Sequence, residues 1–553
     1  MASGKSPGGF TVRTTNARPW VWLLLAFALL ATACGGEVDE SADDGGETEA
    51  VDDAPAENNE TEADEPEPAS EEDPGAAETD DGPNTYDDPR GGIFAEFQAG
   101  FDRGDHPFTQ LDAFCVAHDA AADAQATDDG IEADSLTIVH LKSRLEDAIN
   151  IGFGIPVGDM NDMFGVYIDY LNEQCGGIRG REIVLETIEV SLFGPTVETE
   201  RNEACLKATE DLNAVMILNS SGFQGSATVC IVEAKETIFI STQGQPQDFM
   251  DRSEGRLVSL SNTNSESLEF AVARFLDSGV LTADSIVGVA SPDTPGQPET
   301  VEESLVAPLE AAGVEVVYDV IGCNGSTICT DGVVDSVTNM RNAGITHFFN
   351  VMGILTAPGY VDEMVNQGFE AGDVQFLASD FNSQSSELVS GQITNNPAAG
   401  ALYNGAIIND FRTTGEYRND GYEPSPWQSL CVDLYNENNT IGANHQWEDQ
   451  GGDSAFGMAI SICSMLRVMA RAIYDAGDNP TRDDITAALN NLGPLDLSGM
   501  SPASITPGKG QMPDAIQTLD FSYPCDQRYP YVRNNGEAVC ITGRQDWSFA
   551  PRN

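Results

Sequence analysis

Gly165-Val166-Tyr167-Ile168-Asp169-Tyr170-Leu171-Asn172-Glu173-Gln174-Cys175-Gly176-Gly177-Ile178-Arg179-Gly180-Arg181 decides the fold, together with the Glu182-Ile183-Val184-Leu185-Glu186 run that follows it. Val166, Ile168 and Leu171, with the rings of Tyr167 and Tyr170, fit one broad helical face. Gly176 and Gly177 end that helix where a left-handed residue is needed. An Arg-Gly-Arg turn then hands the chain to a β run. Helix, glycine stop and strand in immediate succession predict a βαβ unit, and working outward the same rhythm repeats.

Leu136–Leu141 reads as an apolar strand before this helix. After it come strand 182–190, a helix around 198–212, strand 214–218, a helix to 234, strand 237–241 and strand 256–260. A second series follows: helix 266–278, strand 285–290, helix 301–312, strand 314–320, helix 333–343, strand 347–351, helix 360–367 and strand 375–378. Such alternation demands parallel sheets covered by helices. Two series make two lobes. Beyond Gly400 the pattern turns helical, at 428–438, 455–476 and 482–492, and the end at 496–553 is Pro-, Gly- and aromatic-rich.

The Asn172–Arg181 stretch resembles the first βαβ unit of the type I periplasmic-binding protein family, in the branch of leucine/isoleucine/valine-binding proteins of ABC importers. The family pattern reads Asn-x-x-Gly-Gly, so Cys175 departs from its spacing. The resemblance covers roughly 135–495. It implies an α/β fold of two Rossmann-like lobes joined by a three-strand hinge. That places lobe 1 at 135–257 plus 408–492, and lobe 2 at 258–407 plus 493–553. It also implies a binding protein, acting as a monomer, that delivers a small polar solute to an ABC permease. A ligand-binding receptor of a signalling system is the alternative on the same fold.

Composition bounds the partners. The 553 residues carry a formal charge of −64, from 26 Lys and Arg against 90 Asp and Glu. That excess repels nucleic acid and anionic lipid surfaces. Residues 1–34 read as a targeting segment, with Lys5, Arg13 and Arg18 ahead of the short apolar run Trp20–Leu30. Its ending, Leu30-Ala31-Thr32-Ala33-Cys34, resembles a bacterial lipoprotein signal, which implies lipidation of Cys34 and membrane association on the outer face of the cell. An ordinary secretory signal with an incidental Cys is the alternative. Residues 35–89 hold 23 acidic residues and no Lys or Arg; such a segment buries too little apolar surface to order itself and reads as a tether. Residues 90–134 form an N-terminal extension, with Ile93–Phe97 and Leu111–Cys115 as candidate short helices.

Apart from Cys34, ten of the 11 cysteines remain, an even number in an exported chain, which reads as disulfides. Spacing suggests Cys323–Cys329, Cys525–Cys540, Cys431–Cys463 and Cys205–Cys230, leaving Cys115–Cys175. Zinc is the alternative, but no Cys-x-x-Cys occurs and the five His are scattered, so no metal and no cofactor are expected.

Ligands of open parallel sheets bind beyond the carboxyl ends of the strands. Those ends supply Val157 and Gly158, the Ser220-Ser221 turn, Thr242-Gln243-Gly244-Gln245, Met352 and Asp380 as candidate ligand-binding residues. Free backbone N–H groups and hydroxyls at the serine turn suit a carboxylate. In the resembled family Ser221 and the 242–245 stretch match positions that hold the ligand carboxylate, and Asp380 matches a position that pairs with its ammonium. Helix capping is the competing role for each Ser and Thr. His140, within a strand, reads as a core or rim side chain. Enzyme signatures are missing: there is no Gly-x-Ser-x-Gly elbow, and Gly4-Lys5-Ser6 lacks the strand and upstream glycine of a phosphate loop.

Overall fold

The structure is a computed structural model. It describes most of residues 114–550; the main stretches outside the description are 150–156, 380–386, 414–423, 446–453 and 526–539, besides 1–113 and 551–553. The expected targeting segment, Cys34, the acidic tether, Ile93–Phe97 and Asp380 therefore lie outside the described residues.

Two sheets organise the chain. The first has the order β2-β1-β3-β4-β5, from Ser135–Arg144 (β1), Glu182–Ser191 (β2), Met216–Ser221 (β3), Ile238–Ser241 (β4) and Leu257–Ser259 (β5), all parallel. The second runs β14-β13-β10-β9-β8-β6-β7 with β15 against β13. Its parallel part is Ile286–Pro292 (β6), Glu315–Ile321 (β7), His347–Asn350 (β8), Gln375–Ala378 (β9) and Ile407–Asp410 (β10). Ala515–Phe521 (β13) joins antiparallel to β10, followed by Ile541–Gly543 (β14) and Ser548–Phe549 (β15). Each sheet is covered by apolar clusters on both faces, which is why its central strands are apolar almost throughout.

The decisive stretch folds as read. Helix α1 spans Met160–Cys175, its first turn capped by the Asp159 carboxylate accepting from the N–H groups of Asn161 and Asp162. Gly176 closes it at φ 68°. Gly177 is also left-handed, and a Cβ there would stand 1.9 Å from the Arg181 carbonyl oxygen, so only glycine fits. Asn172 works as a strand partner: its Nδ2 donates to the Ile183 carbonyl at 3.0 Å and its Oδ1 accepts from the Ile183 N–H at 2.8 Å. Arg181, 1% exposed, donates to the carbonyls of Glu132, Asp478 and Gln125 and to Asn479 Oδ1. The motif thus welds α1, β2, the N-terminal extension and a late loop.

That extension is part of the first lobe. Phe114 stacks on both Tyr167 and Trp427, with ring centroids 5.6 Å from each, and Arg467 lies 3.7 Å over the indole ring. Around Cys115 the described chain is not helical. The four disulfides suggested by spacing, Cys205–Cys230, Cys323–Cys329, Cys431–Cys463 and Cys525–Cys540, are present, and so is Cys115–Cys175, the pair left by elimination.

The strands past residue 400 were not expected. β10 is only four residues long, and β13 and β14 sit in a segment whose Pro and Gly content hides them. The split of the chain also differs from the expected one. β10 belongs to the second sheet, so the return to the first lobe starts after Asp410. The small hairpin Gly493–Leu495 (β11) and Ala503–Ile505 (β12) packs with the first lobe's cluster, through Leu495, Leu497, Met500, Ala503 and Ile505, and not with the second. The chain therefore crosses between sheets after β5, after β10 and before β13. The crossings lie side by side: Ser259 N–H donates to the Gly510 carbonyl and Met512 N–H to the Ser259 carbonyl, while Gln517 Nε2 reaches the Arg412 carbonyl at 2.8 Å.

The returning helices, Pro426–Asn438 (α2), Ser454–Asp475 (α3) and Arg482–Leu489 (α4), fill the first lobe. α3 is long and apolar enough by length and composition to cross a membrane. Here Ile462, Cys463, Met465, Leu466 and Met469 are buried in the protein core instead.

Candidate functional site

The first and second crossings leave β5 and β10 at their carboxyl ends, so those ends of both sheets border the hinge. In the first sheet, strand alternation divides the polar residues there between two faces. Ser220 points to the α1 face with His140, whose ring stacks on Phe164 with centroids 3.9 Å apart. Ser220 Oγ is 2.8 Å from His140 Nε2 and 3.3 Å from Met160 Sδ. Both contacts coexist when the imidazole Nε2–H donates to the hydroxyl and the hydroxyl donates to the sulfur. Burial, aided by nearby Lys142, holds His140 neutral, with its pKa pushed down to about 3. Ser220 is thus an internal brace, 2% exposed, and not a free ligand contact.

Ser221 lies on the other face and its Oγ accepts from the Ser143 N–H at 3.3 Å. Gly222 follows at φ 66°, where a Cβ would be 2.1 Å from Ser143 Oγ. Thr242 is half-buried; its hydroxyl donates to the Ser220 carbonyl at 3.0 Å and its N–H to the Asn219 carbonyl. Gln243 holds its backbone in place through Ser241 Oγ and the Ser259 hydroxyl, while its Oε1 is buried without a partner. Gly244 is confined by the Asn262 carbonyl, 2.7 Å from where a Cβ would stand. Gln245 is fully buried between Thr228 Oγ1 and Ser241 Oγ, each at 3.4 Å, so it supports the loop from beneath.

Val157 packs half-buried on the main cluster just ahead of α1. Gly158, at φ 73°, sits where a Cβ would be 2.9 Å from both Ala455 Cβ and Met163 Cε. Across the hinge, Met352 departs from expectation. It is 0% exposed within the second lobe's cluster, beside Phe348 and Tyr360, and only its N–H reaches a polar group, Asn350 Oδ1 at 3.2 Å. The apolar side chain prefers the core to the cleft. The loops after β6, β7 and β8 are tied together by Asp293 Oδ1, which accepts from the Cys323 N–H, and Thr356 Oγ1, which accepts from the Cys329 N–H.

Cations at the first sheet's carboxyl edge are already matched. Lys142 meets Glu189 at 2.9 Å, Arg144 meets Asp147 and Glu200, and buried Arg201 meets Glu198 at 2.8 Å and the Gly222 carbonyl. Hydrogen bonds from Ser191 hold the Glu200 carboxyl below the usual carboxylate range. Sequence reasoning missed four polar residues at the carboxyl ends or the crossing: Ser143, Asn264 and Asn409, which keep unmatched buried polar atoms, and Ser261, whose hydroxyl donates to the Thr242 carbonyl. A Ser, Asn or Gln just past an apolar strand was the available signal. Among the described residues no group of three or more His, Cys, Asp or Glu is arranged to hold a metal ion.

The fold matches solved structures from end to end of those chains. A fatty acid ABC transporter substrate-binding protein from Thermomonospora curvata shares 13% identity over 77% of this chain and 96% of its own, with a TM-score of 0.54. The fold is that of ABC-transporter solute-binding proteins. A solute-binding protein from Rhodopseudomonas palustris BisB5, in complex with 3,4-dihydroxybenzoic acid, shares 12% identity over 75% of this chain and 98% of its own, with a TM-score of 0.52. The leucine-binding protein LivK from Thermotoga maritima shares 13% identity over 74% and 99%, with a TM-score of 0.51. No protein-family model matches the sequence, and a comparison with curated proteins finds no match. At such identities the likeness is one of architecture, the type I periplasmic-binding fold expected from the Asn172–Arg181 stretch.

Proposed function

We propose that this chain is an extracytoplasmic solute-binding protein, a non-enzyme that closes two lobes over a small polar solute, amino acid or amide-like, and delivers it to an ABC permease. The observation that supports this reading most is the hinge: the crossings depart from the carboxyl ends of β5 and β10, so the polar ends of the parallel strands of both sheets lie next to the connection between the lobes, where a cleft would form. Closure follows if a solute touches both sets of loops, because only differential contact shifts an open–closed equilibrium. Ser221, Thr242 and Gln243, with Val157 and Gly158 beside them, would form the first lobe's half-site. Asp380 is proposed to meet a positive group from the other side. Similar structures bind a dihydroxybenzoic acid in one case and are named for fatty acid or leucine in others, so the fold accommodates diverse small molecules. Cleavage before Cys34 and lipidation of its sulfur would tether the protein, as a monomer, to the outer face of the membrane.

Thermal unfolding of the oxidised chain against amino acids, amides, aromatic acids, polyamines and sugars tests the reading. A solute at 100 times its dissociation constant adds ~2.7 kcal/mol, seen as a rise in Tm. A panel in which no small solute raises Tm would speak against solute capture.

A further inference from the structure

Buried polar atoms without partners in a folded chain mark places where another molecule is wanted. At the carboxyl ends and the crossings these include Ser143 Oγ, Gln243 Oε1, Asn264 Nδ2, both polar atoms of Asn409 and Gln517 Oε1. All five of these side chains are neutral. Gln243 and Asn264 belong to one construction. Asn264, 3% exposed, opens the helix that follows the first crossing, and its N–H donates to the Gln245 carbonyl at 3.2 Å. Its Oδ1 stands 2.9 Å from where a Cβ on Gly244 would lie. The Ser259 hydroxyl fixes the Gln243 carbonyl at 2.8 Å. An unmatched acceptor on Gln243 and an unmatched donor on Asn264 therefore meet at Gly244, which must lack a side chain for the two segments to pack this closely.

The charges at the first sheet's carboxyl edge weigh on the choice. Lys142, Arg144 and Arg201 are each paired with a carboxylate, so none of these three described cations is left over for an anionic solute group. A carboxylate would also set its oxygens against Gln243 Oε1, while an ammonium has nothing to offer the Asn264 N–H. A carboxamide matches both, its NH2 donating to Gln243 and its carbonyl accepting from Asn264. Resting on the solute-binding reading, we infer that the first lobe takes the neutral carboxamide group of its solute, with Gln243 and Asn264 as the residues that read it. This replaces the carboxylate expected at the 242–245 stretch.

The test is calorimetric titration of the full oxidised chain with matched pairs, butyramide against butyrate and benzamide against benzoate, beside the wider Tm panel. The amide of a pair binds about tenfold tighter or more, the ratio expected when the wrong partner leaves a buried group unmatched. Asn264→Asp and, separately, Gln243→Leu abolish that preference while keeping the wild-type urea midpoint to within a small shift. Acids binding as tightly as their amides would overturn the inference and leave the solute-binding reading standing. So would variants that fold and keep the preference. If nothing in the pairs or the panel binds, the reading itself falls and the inference with it.

Discussion

Asn172 shows how a single side chain fixes a junction. It offers the edge of β2 the donor and acceptor that a neighbouring strand would supply. Asn172→Ala is expected to cost about 1–3 kcal/mol, because it leaves Ile183 backbone groups unmatched; urea unfolding with an unchanged m-value checks it. His140 makes a different prediction. Its folded pKa of about 3 lies below the ordinary 6.5, because burial disfavours the imidazolium. The unfolded chain therefore takes up a proton that the folded chain refuses. Stability is fully present above pH 6.5 and falls as pH drops toward 3, by roughly 1.4 kcal/mol per unit. His140→Gln should flatten that slope by about one proton in urea midpoints measured from pH 7 to 4. At this scale the sequence was legible where backbone conformation dictated the residue, as at Gly176 and Gly177. It was not legible where strand alternation decided: one residue separates Ser220, turned inward to His140, from Ser221 at the rim.

Among elements, the helices and parallel strands could be read because each buries a local stripe or run of its own sequence. β10 and β13 could not. Ile407–Asp410 is short, and its partner Ala515–Phe521 lies more than a hundred residues away, so neither segment signals the pairing by itself. Their contribution is nevertheless central, since β13 links β10 to β14 and β15. Four of the five disulfides were legible from spacing, and Cys115–Cys175 by elimination. Replacing Cys205 and Cys230 by Ala releases a loop of 25 residues and should cost about 2–4 kcal/mol, seen as a lower Tm under oxidising conditions and no difference from wild type under reduction. In α3, Leu466→Ala should cost about 2–5 kcal/mol by opening a cavity in a fully buried layer, again measured by urea unfolding.

For the whole molecule, the two-lobe architecture was legible from the βα rhythm and the Asn172–Arg181 motif together. The residence of 493–505 with the first lobe was not, because an apolar hairpin fits either core until the crossings are placed. The same crossings tie the proposed ligand loop to the hinge: Ser259 and Ser261 hold the Gln243 and Thr242 carbonyls, and Gln511 reaches Glu266 at 2.7 Å. On the proposed reading, a solute seated on the 242–245 loop would press directly on the crossing segment between the lobes. The most direct measurement is hydrogen exchange of the oxidised chain with and without a solute that raises Tm. Closure over a shared cleft predicts slowed exchange at 219–223 and 241–246 in the first lobe together with 350–353 in the second. Protection confined to one lobe, or spread evenly over the molecule, would contradict it.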